Sequence, residues 1–272
     1  MSIQEKPQAK TSEIYVPGTP LDHEHSLAMN LRNDLSGELP VPPHEHMEYR
    51  ETSEQYLSLG KKEVDIIRAT LSDLNFDIGK AKNILEFGVA NARLLRWFAD
   101  LAGKCNLHGV DIQSDKIFWC IENLYPWFNF SVCTTVPHLP FRDGHFDFAY
   151  AGSVFTHLGE LHSQWFFELT RVVQKGSLLY LTFIDERSLS LLETELKDRP
   201  LAKQIAAHGQ GEKLRSRDFD WMSIGSYGGQ FLSQVIMTER YIRYLSRSVA
   251  DVVEIVPRGF SDMQTSYVFR VK

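Results

Sequence analysis

The stretch Asn83-Ile-Leu-Glu-Phe-Gly-Val-Ala-Asn-Ala-Arg93 decides the fold. Asn83–Phe87 reads as a short buried strand that ends in an acid and then Gly88. Small residues follow, and then a segment over Ala92–Leu101 with Leu94, Leu95, Phe98 and Leu101 on one side, which predicts a helix. In an open parallel sheet, ligands bind beyond the carboxyl ends of the strands, where the strand order reverses. Gly88 allows positive φ and close approach of a ligand to the backbone. Ala90 and Ala92 keep the loop narrow. Free N–H groups at the start of the following helix favour an anionic group. Glu86 discriminates between ligands: its carboxylate would repel a pyrophosphate and attract an ammonium.

Working outward, strands and helices alternate. Asn106–Asp111 is a second strand that also ends in an acid. Ser114 is a candidate N-cap for a helix running to Leu124. Phe128–Cys133 and Phe146–Ala151 read as the third and fourth strands. Glu160–Val173 is amphipathic, with Lys175-Gly176 as its expected end, and Ser177–Phe183 is a fifth, apolar strand. Upstream, Val64, Ile67, Leu71 and Leu74 give the stretch Lys61–Leu74 one apolar face. Val252–Val256 and Ser266–Val271, separated by Pro257 and Gly259, read as an antiparallel hairpin at the sheet edge. The expected fold is α/β: a mostly parallel seven-stranded sheet, helices on both faces and right-handed crossovers. Residues 1–50, broken by Pro17, Pro20, Pro40, Pro42 and Pro43, are expected to form an extended arm. The domain then covers 51–272, with 184–240 as an inserted cap, because that segment is too long for a plain connection.

The chain has 272 residues and a net charge of −6, with a pI near 5.9. That balance argues against a large electrostatic grip on nucleic acid, which needs clustered Lys and Arg. Cys105, Cys120 and Cys133 form no CxxC pattern and are expected to be buried thiols in a reducing compartment. Met1–Thr11 lacks the apolar core of a signal peptide. No stretch reaches the ~18–20 apolar residues of a membrane span. The expected location is cytoplasmic.

Asp111 closes the second strand 25 positions after Glu86. Its two oxygens can hold two ribose hydroxyls; the alternative is an acid that caps the next helix. Around these two acids the run Ile84-Leu-Glu-Phe-Gly-Val-Ala-Asn-Ala-Arg93 resembles the first motif of class I S-adenosylmethionine-dependent methyltransferases. So do Gly109-Val-Asp-Ile-Gln-Ser114, Leu139-Pro-Phe-Arg-Asp-Gly-His-Phe-Asp147 and Tyr150-Ala-Gly-Ser-Val-Phe-Thr-His-Leu158. The last two are the more specific and are similar to the small-molecule branch of that superfamily. The resemblance implies a Rossmann-like fold, S-adenosylmethionine as cofactor and methyl transfer to O or N of a small-molecule or carbohydrate-like acceptor.

Residue by residue, the resemblance implies that Glu86 binds the methionine amine, Gly88 underlies the methionine moiety and Asp111 binds the ribose. Ile112 would pack on the adenine, and Ser153 would sit under the methionine part. Phe87, Ala90, Arg93, Thr135 and Val136 complete the candidate cofactor contacts. Two departures stand out: Ala90 and Ala92 replace customary glycines, and Thr135 replaces an Asp that commonly reads the adenine amino group. His157, just past the fourth strand, is the candidate base or acceptor-orienting group, the alternative being a packing or capping histidine. His145 and His162 are expected at the surface. Trp221 and Tyr227, with Phe231 and Tyr241, are candidate acceptor-site aromatics, or else the cap's own small core. The triplets His23-Glu-His25 and His44-Glu-His46 place two imidazoles on one side of an extended chain, but nothing completes a metal set, and no metal is expected. Two competing readings are a nicotinamide-dependent oxidoreductase, which needs G-x-G-x-x-G and no acid at the strand tip, and a non-catalytic binding module.

Overall fold

The computed structural model describes residues 38–47, 52–207, 211–224 and 234–272. Its centre is β1 (Asn83–Phe87), buried at every position. Beside it runs β2 (Asn106–Asp111), equally buried. Strands covered on both faces need apolar side chains on both, which explains why these runs do not alternate. With β3 (Asn129–Val132), β4 (Phe146–Ala151), β5 (Val173–Phe183), and the late strands β8 (Ala250–Phe260) and β9 (Gln264–Val271), they form one sheet in the order β3-β2-β1-β4-β5-β9-β8. The first five strands pair in parallel. β9 runs antiparallel to both β5 and β8. The order reverses between β1 and β4, so the ligand crevice of the fold lies at their carboxyl tips.

Two apolar layers cover the sheet. One holds α1 (Ser53–Asp73), with Val64, Ile67 and Leu71 buried, and α2 (Ser114–Leu124). Thr52 caps α1 by accepting from the Gln55 N–H at 3.1 Å. The other layer holds α3 (His162–Val172) and, late in the chain, α7 (Glu239–Ser246). The Leu139-Pro-Phe turn is tied down by α3. Arg171 donates to the carbonyls of Leu139 and Phe141 at 3.0 and 2.8 Å, and Glu168 accepts the Leu139 N–H at 2.5 Å.

Several local expectations are corrected. Residues 92–101 do not form an α-helix: turns lead into a 3-10 segment, Leu95–Leu101. Both Ala90 and Ala92 take positive φ, so regular helical geometry cannot start there. Gln113, not Ser114, is the N-cap of α2. Helix α3 stops at Val172, and β5 begins at once. Gly176 has φ +82° as expected, but inside the strand segment rather than at a helix end. Pro257 lies within β8, which tolerates it as an edge strand.

The described part of the segment 184–240, the expected cap, has elements of its own. It contains α4 (Glu186–Glu193), α5 (Pro200–Ala207), α6 (Gly211–Ser216), and an antiparallel pair, β6 (Trp221–Ile224) with β7 (Gln234–Met237). Leu189, Leu192, Ile205, Leu214, Phe219 and Ile236 belong to its own apolar cluster. Fully buried Asp185 bolts the cap to the sheet. It accepts from the Arg187 and Ser188 N–H groups at the start of α4, from Thr265 Oγ1 at 2.7 Å, and from Tyr267 Oη at 2.9 Å. Of the arm, residues 38–47 are described. Arg96 donates to the carbonyls of Leu39 and Pro40 at 2.9 and 2.7 Å, which lays this part of the arm against the segment after β1.

Candidate active site

The loop after β1 is shaped by its backbone. Gly88 has φ +79°, and a Cβ there would lie 2.2 Å from Val154 Cγ2. The N–H groups of Gly88 and Val89 both donate to the Val110 carbonyl, at 2.8 and 3.0 Å. Ala90 and Ala92 adopt φ +45° and +59°. They thus take the left-handed conformation that glycine supplies without strain, so the loop keeps its shape despite the departure in sequence.

Glu86 and Asp111 are 3% and 6% exposed, at neighbouring strand tips. Burial pushes the Glu86 carboxyl up to about 8. The Tyr150 hydroxyl, which donates to Glu86 Oε2 at 3.0 Å, the Arg93 charge and the Leu95 N–H pull the other way, and Asp111 adds to the rise. Asp111 is pinned by backbone donors. Its Oδ2 accepts the Ala90 N–H at 2.8 Å, and its Oδ1 accepts the Gln113 N–H at 2.9 Å. These contacts bear on the capping alternative: Asp111 steadies the entry to α2 and also ties down the β1 loop.

The remaining predicted residues divide. Ile112 is half-buried against the main apolar cluster. Thr135 is exposed beside Val136, which is 63% exposed. The Phe87 side chain turns into the core and meets Trp165 at 4.6 Å between ring centroids. Arg93 forms an ion pair with buried Glu63 and lies over the Phe260 ring. Ser153 sits just past β4 with φ +61°. His157 is half-buried in the same loop, its N–H donating to the Val154 carbonyl at 2.8 Å. Trp221, half-buried, borders the main cluster at the base of the cap hairpin. Tyr227, Phe231 and the first His triplet lie outside the described residues. His44–His46 is a 3-10 turn rather than an extended chain, so the same-side argument for two imidazoles does not hold there.

Two histidines expected at the surface are buried. His145 stacks on Phe141 at 5.5 Å and meets Phe146 edge-on. His162, 2% exposed, has Nδ1 2.6 Å from the Gly159 carbonyl and Nε2 2.8 Å from Tyr241 Oη. Its imidazole also meets Trp221 edge-on at 4.7 Å. Burial pulls its pKa down, against the Gly159 hydrogen bond. A neutral ring with the proton on Nδ1 fits both contacts: it donates to Gly159 and accepts from Tyr241. Sequence reading missed this group, and also Tyr150 and Tyr56. Tyr56 Oη donates to the Asn91 carbonyl at 2.8 Å. The missed signal for Tyr150 is an aromatic hydroxyl on the strand next to β1, where Glu86 and Tyr150 are register partners.

An acid at the tip of β1, a glycine at positive φ, a second acid at the tip of β2 and a sheet with one antiparallel strand beside the fifth define a Rossmann-like α/β architecture. Residues 85–181 match the family model described as a methyltransferase domain. By that match residues 85–181 form a methyltransferase domain, set within the larger sheet. Solved structures share the fold. A protein of Pyrococcus horikoshii aligns with a TM-score of 0.54 at 18% identity, covering 85% of this chain and 100% of that one. Magnesium protoporphyrin IX methyltransferase from Synechocystis, with S-adenosylhomocysteine bound, gives 0.50 at 15% identity, covering 86% and 89%. The 1,6-didemethyltoxoflavin N1-methyltransferase of Burkholderia thailandensis gives 0.51 at 13% identity, covering 87% and 93%. No curated protein matches the sequence closely enough to count as a relative. Among the described residues no helix is long and apolar enough to cross a membrane.

Proposed function

We propose that this protein moves the methyl group of S-adenosylmethionine to an oxygen or nitrogen of a small-molecule acceptor. One observation carries the reading. Two buried carboxylates, Glu86 and Asp111, flank a single loop whose Gly88 opens the backbone to a ligand. Among the described residues Glu86 has no lysine or arginine ion pair, and burial favours its protonated form beside Tyr150; an ammonium placed there would ionise it. Asp111, held at the tip of β2 by the Ala90 and Gln113 N–H groups, is the proposed partner of vicinal hydroxyls. Exposed Val136 suits an apolar ring face, and Thr135 can accept from an exocyclic amine in place of an Asp.

When bound, the cofactor supplies an electrophilic methyl on a sulfonium. The chain's part is to align the acceptor and exclude water. His157, half-buried beyond β4, takes the acceptor's proton or orients the acceptor. Trp221 and Tyr227 are the proposed acceptor-side residues. The neighbours named for small molecules, magnesium protoporphyrin IX and 1,6-didemethyltoxoflavin, share the fold. An acidic chain of charge −6 suits a small acceptor better than nucleic acid. Calorimetric titration with S-adenosylmethionine, S-adenosylhomocysteine and NAD tests the reading. Binding of the first two and not the third is expected, and indifference to both sulfur nucleosides removes it. A non-catalytic module would bind them without turnover in an acceptor screen.

A further inference from the structure

Ser153 is gripped at every polar atom. Its N–H donates to Thr182 Oγ1 at 2.7 Å, its carbonyl accepts from Thr156 Oγ1 at 2.8 Å, and its Oγ accepts from Gln264 Nε2 at 2.8 Å. Thr182 in turn donates to Gln264 Oε1 at 2.7 Å. Thr156 and Thr182 are fully buried and Gln264 is 4% exposed. These partners come from the loop after β4, from β5 and from the start of β9, whereas Ser153 itself holds a left-handed φ of +61°. That conformation costs a non-glycine residue on the order of 1 kcal/mol, and it persists because three buried partners fix it.

The polarity of the chain of bonds follows from its ends. Thr182 spends a lone pair on the Ser153 N–H and its proton on Gln264 Oε1, which leaves the Gln264 amide nitrogen facing Ser153. With that nitrogen donating to Oγ, the Ser153 proton must leave in another direction. Among the described residues its outlet is Thr156 Oγ1, at a longer 3.3 Å. A better acceptor at the tip of β4 would take that proton.

We propose that Gln264 is a positioning residue. Through Thr182 and Ser153, it sets the Ser153 hydroxyl as a hydrogen-bond donor to the carboxylate of the cofactor's amino-acid end. This inference rests on the reading of the site given above and adds a residue on β9, outside the matched span 85–181. It acts through Ser153 and touches no reacting atom.

The test compares S-adenosylhomocysteine with methylthioadenosine, which keeps the thioether and adenosine but lacks the amino-acid end. Gln264→Glu cannot donate while ionised, and its affinity for S-adenosylhomocysteine falls about tenfold, the loss of one hydrogen bond to a charged group. Affinity for methylthioadenosine stays at the wild-type value. Ser153→Gly, whose backbone accepts the left-handed φ, gives the same selective loss, and the double variant loses no more than either single. Equal loss for both nucleosides marks a merely structural role and overturns the proposal, and so does additive loss in the double variant or no loss in either single. If Gln264→Glu does not fold, Ser153→Gly and Thr182→Val decide in the same way. A wild-type protein that binds neither nucleoside overturns the reading of the site itself, a result distinct from wild-type binding with insensitive variants.

Discussion

Glu86 and Asp111 lie 25 residues apart in the chain and occupy adjacent strand tips joined by one loop. His162 and Tyr241 lie 79 residues apart and meet because α3 and α7 pack in the same apolar layer. The β1–β2 side of the crevice is thus built from short-range backbone geometry, and the cap side from side chains that no local pattern links. The first kind of site tolerates little change in its acids. The second can drift in sequence as long as the long-range contacts are replaced.

The largest effect is expected on the local side. Asp111→Asn keeps the size of the side chain but turns one backbone-accepting oxygen into a donor facing the Ala90 or Gln113 N–H. It removes charge-assisted bonds to backbone and ligand, at about 1.5–3 kcal/mol each. Affinity for S-adenosylhomocysteine falls by about 30-fold or more. If it changes by less than about threefold, the contrast drawn here fails, because the β1–β2 side would then not depend on its acids.

Glu86 gives the next effect, through pH. Its folded pKa of about 8 lies above its ordinary 4.5. The ligand-free protein therefore keeps a proton there that the unfolded chain has lost across that window. The stabilising contribution is fully present below 4.5 and is lost as the pH rises through about 8. An ammonium ligand reverses the preference and expels the proton. At pH 7, calorimetry of S-adenosylhomocysteine binding in buffers of different ionisation enthalpy is expected to show release of about one proton from this group. Glu86→Gln abolishes that release. Identical proton release in the variant would show that Glu86 does not meet the ammonium.

The same contrast sets what was legible in the sequence. β1, β2 and β4 have the expected bounds because fully buried parallel strands are continuous apolar runs between turn residues. The seven-stranded sheet and its antiparallel edge followed from the strand–helix rhythm. The segment 92–101 misled because its apolar spacing is helical, while the φ of Ala90 and Ala92 is set by the loop and not by propensity. His145 and His162 misled for another reason. His145 in its turn and His162 on its helix both read as solvated unless their partners are known: Phe141 stacks on His145 from within the same turn, whereas Trp221 and Tyr241 reach His162 only through tertiary packing. The cap's helices were illegible because they are eight residues or shorter, below the length at which periodicity is informative.

On the cap side the expected change is in stability rather than affinity. Tyr241→Phe leaves the buried His162 Nε2 without its donor, at a cost of about 1–2 kcal/mol. Thermal melting should shift down by roughly 2–8 °C. Cofactor affinity should stay within about twofold, since neither residue belongs to the β1–β2 loop. A large loss of S-adenosylhomocysteine binding with an unchanged melting point would reverse the comparison and move this pair into the cofactor site.

The smallest effect concerns the two alanines that stand in for glycine. Ala90 is half-buried and Ala92 fully buried, both in the left-handed region. Glycine removes a strain of about 1–2 kcal/mol at each position, against about 0.5–1 kcal/mol of extra unfolded-state entropy. At Ala90 little packing is lost, so Ala90→Gly should stabilise the protein by about 0.5 kcal/mol in urea unfolding. At Ala92 the deleted methyl is buried, and its loss of about 0.8 kcal/mol cancels the gain, leaving stability near the wild-type value. The sign of the difference between the two variants is the sharper readout. If Ala90→Gly is the less stable of the pair, the loop does not hold the left-handed backbone on which the glycine-like shape of the β1 tip depends.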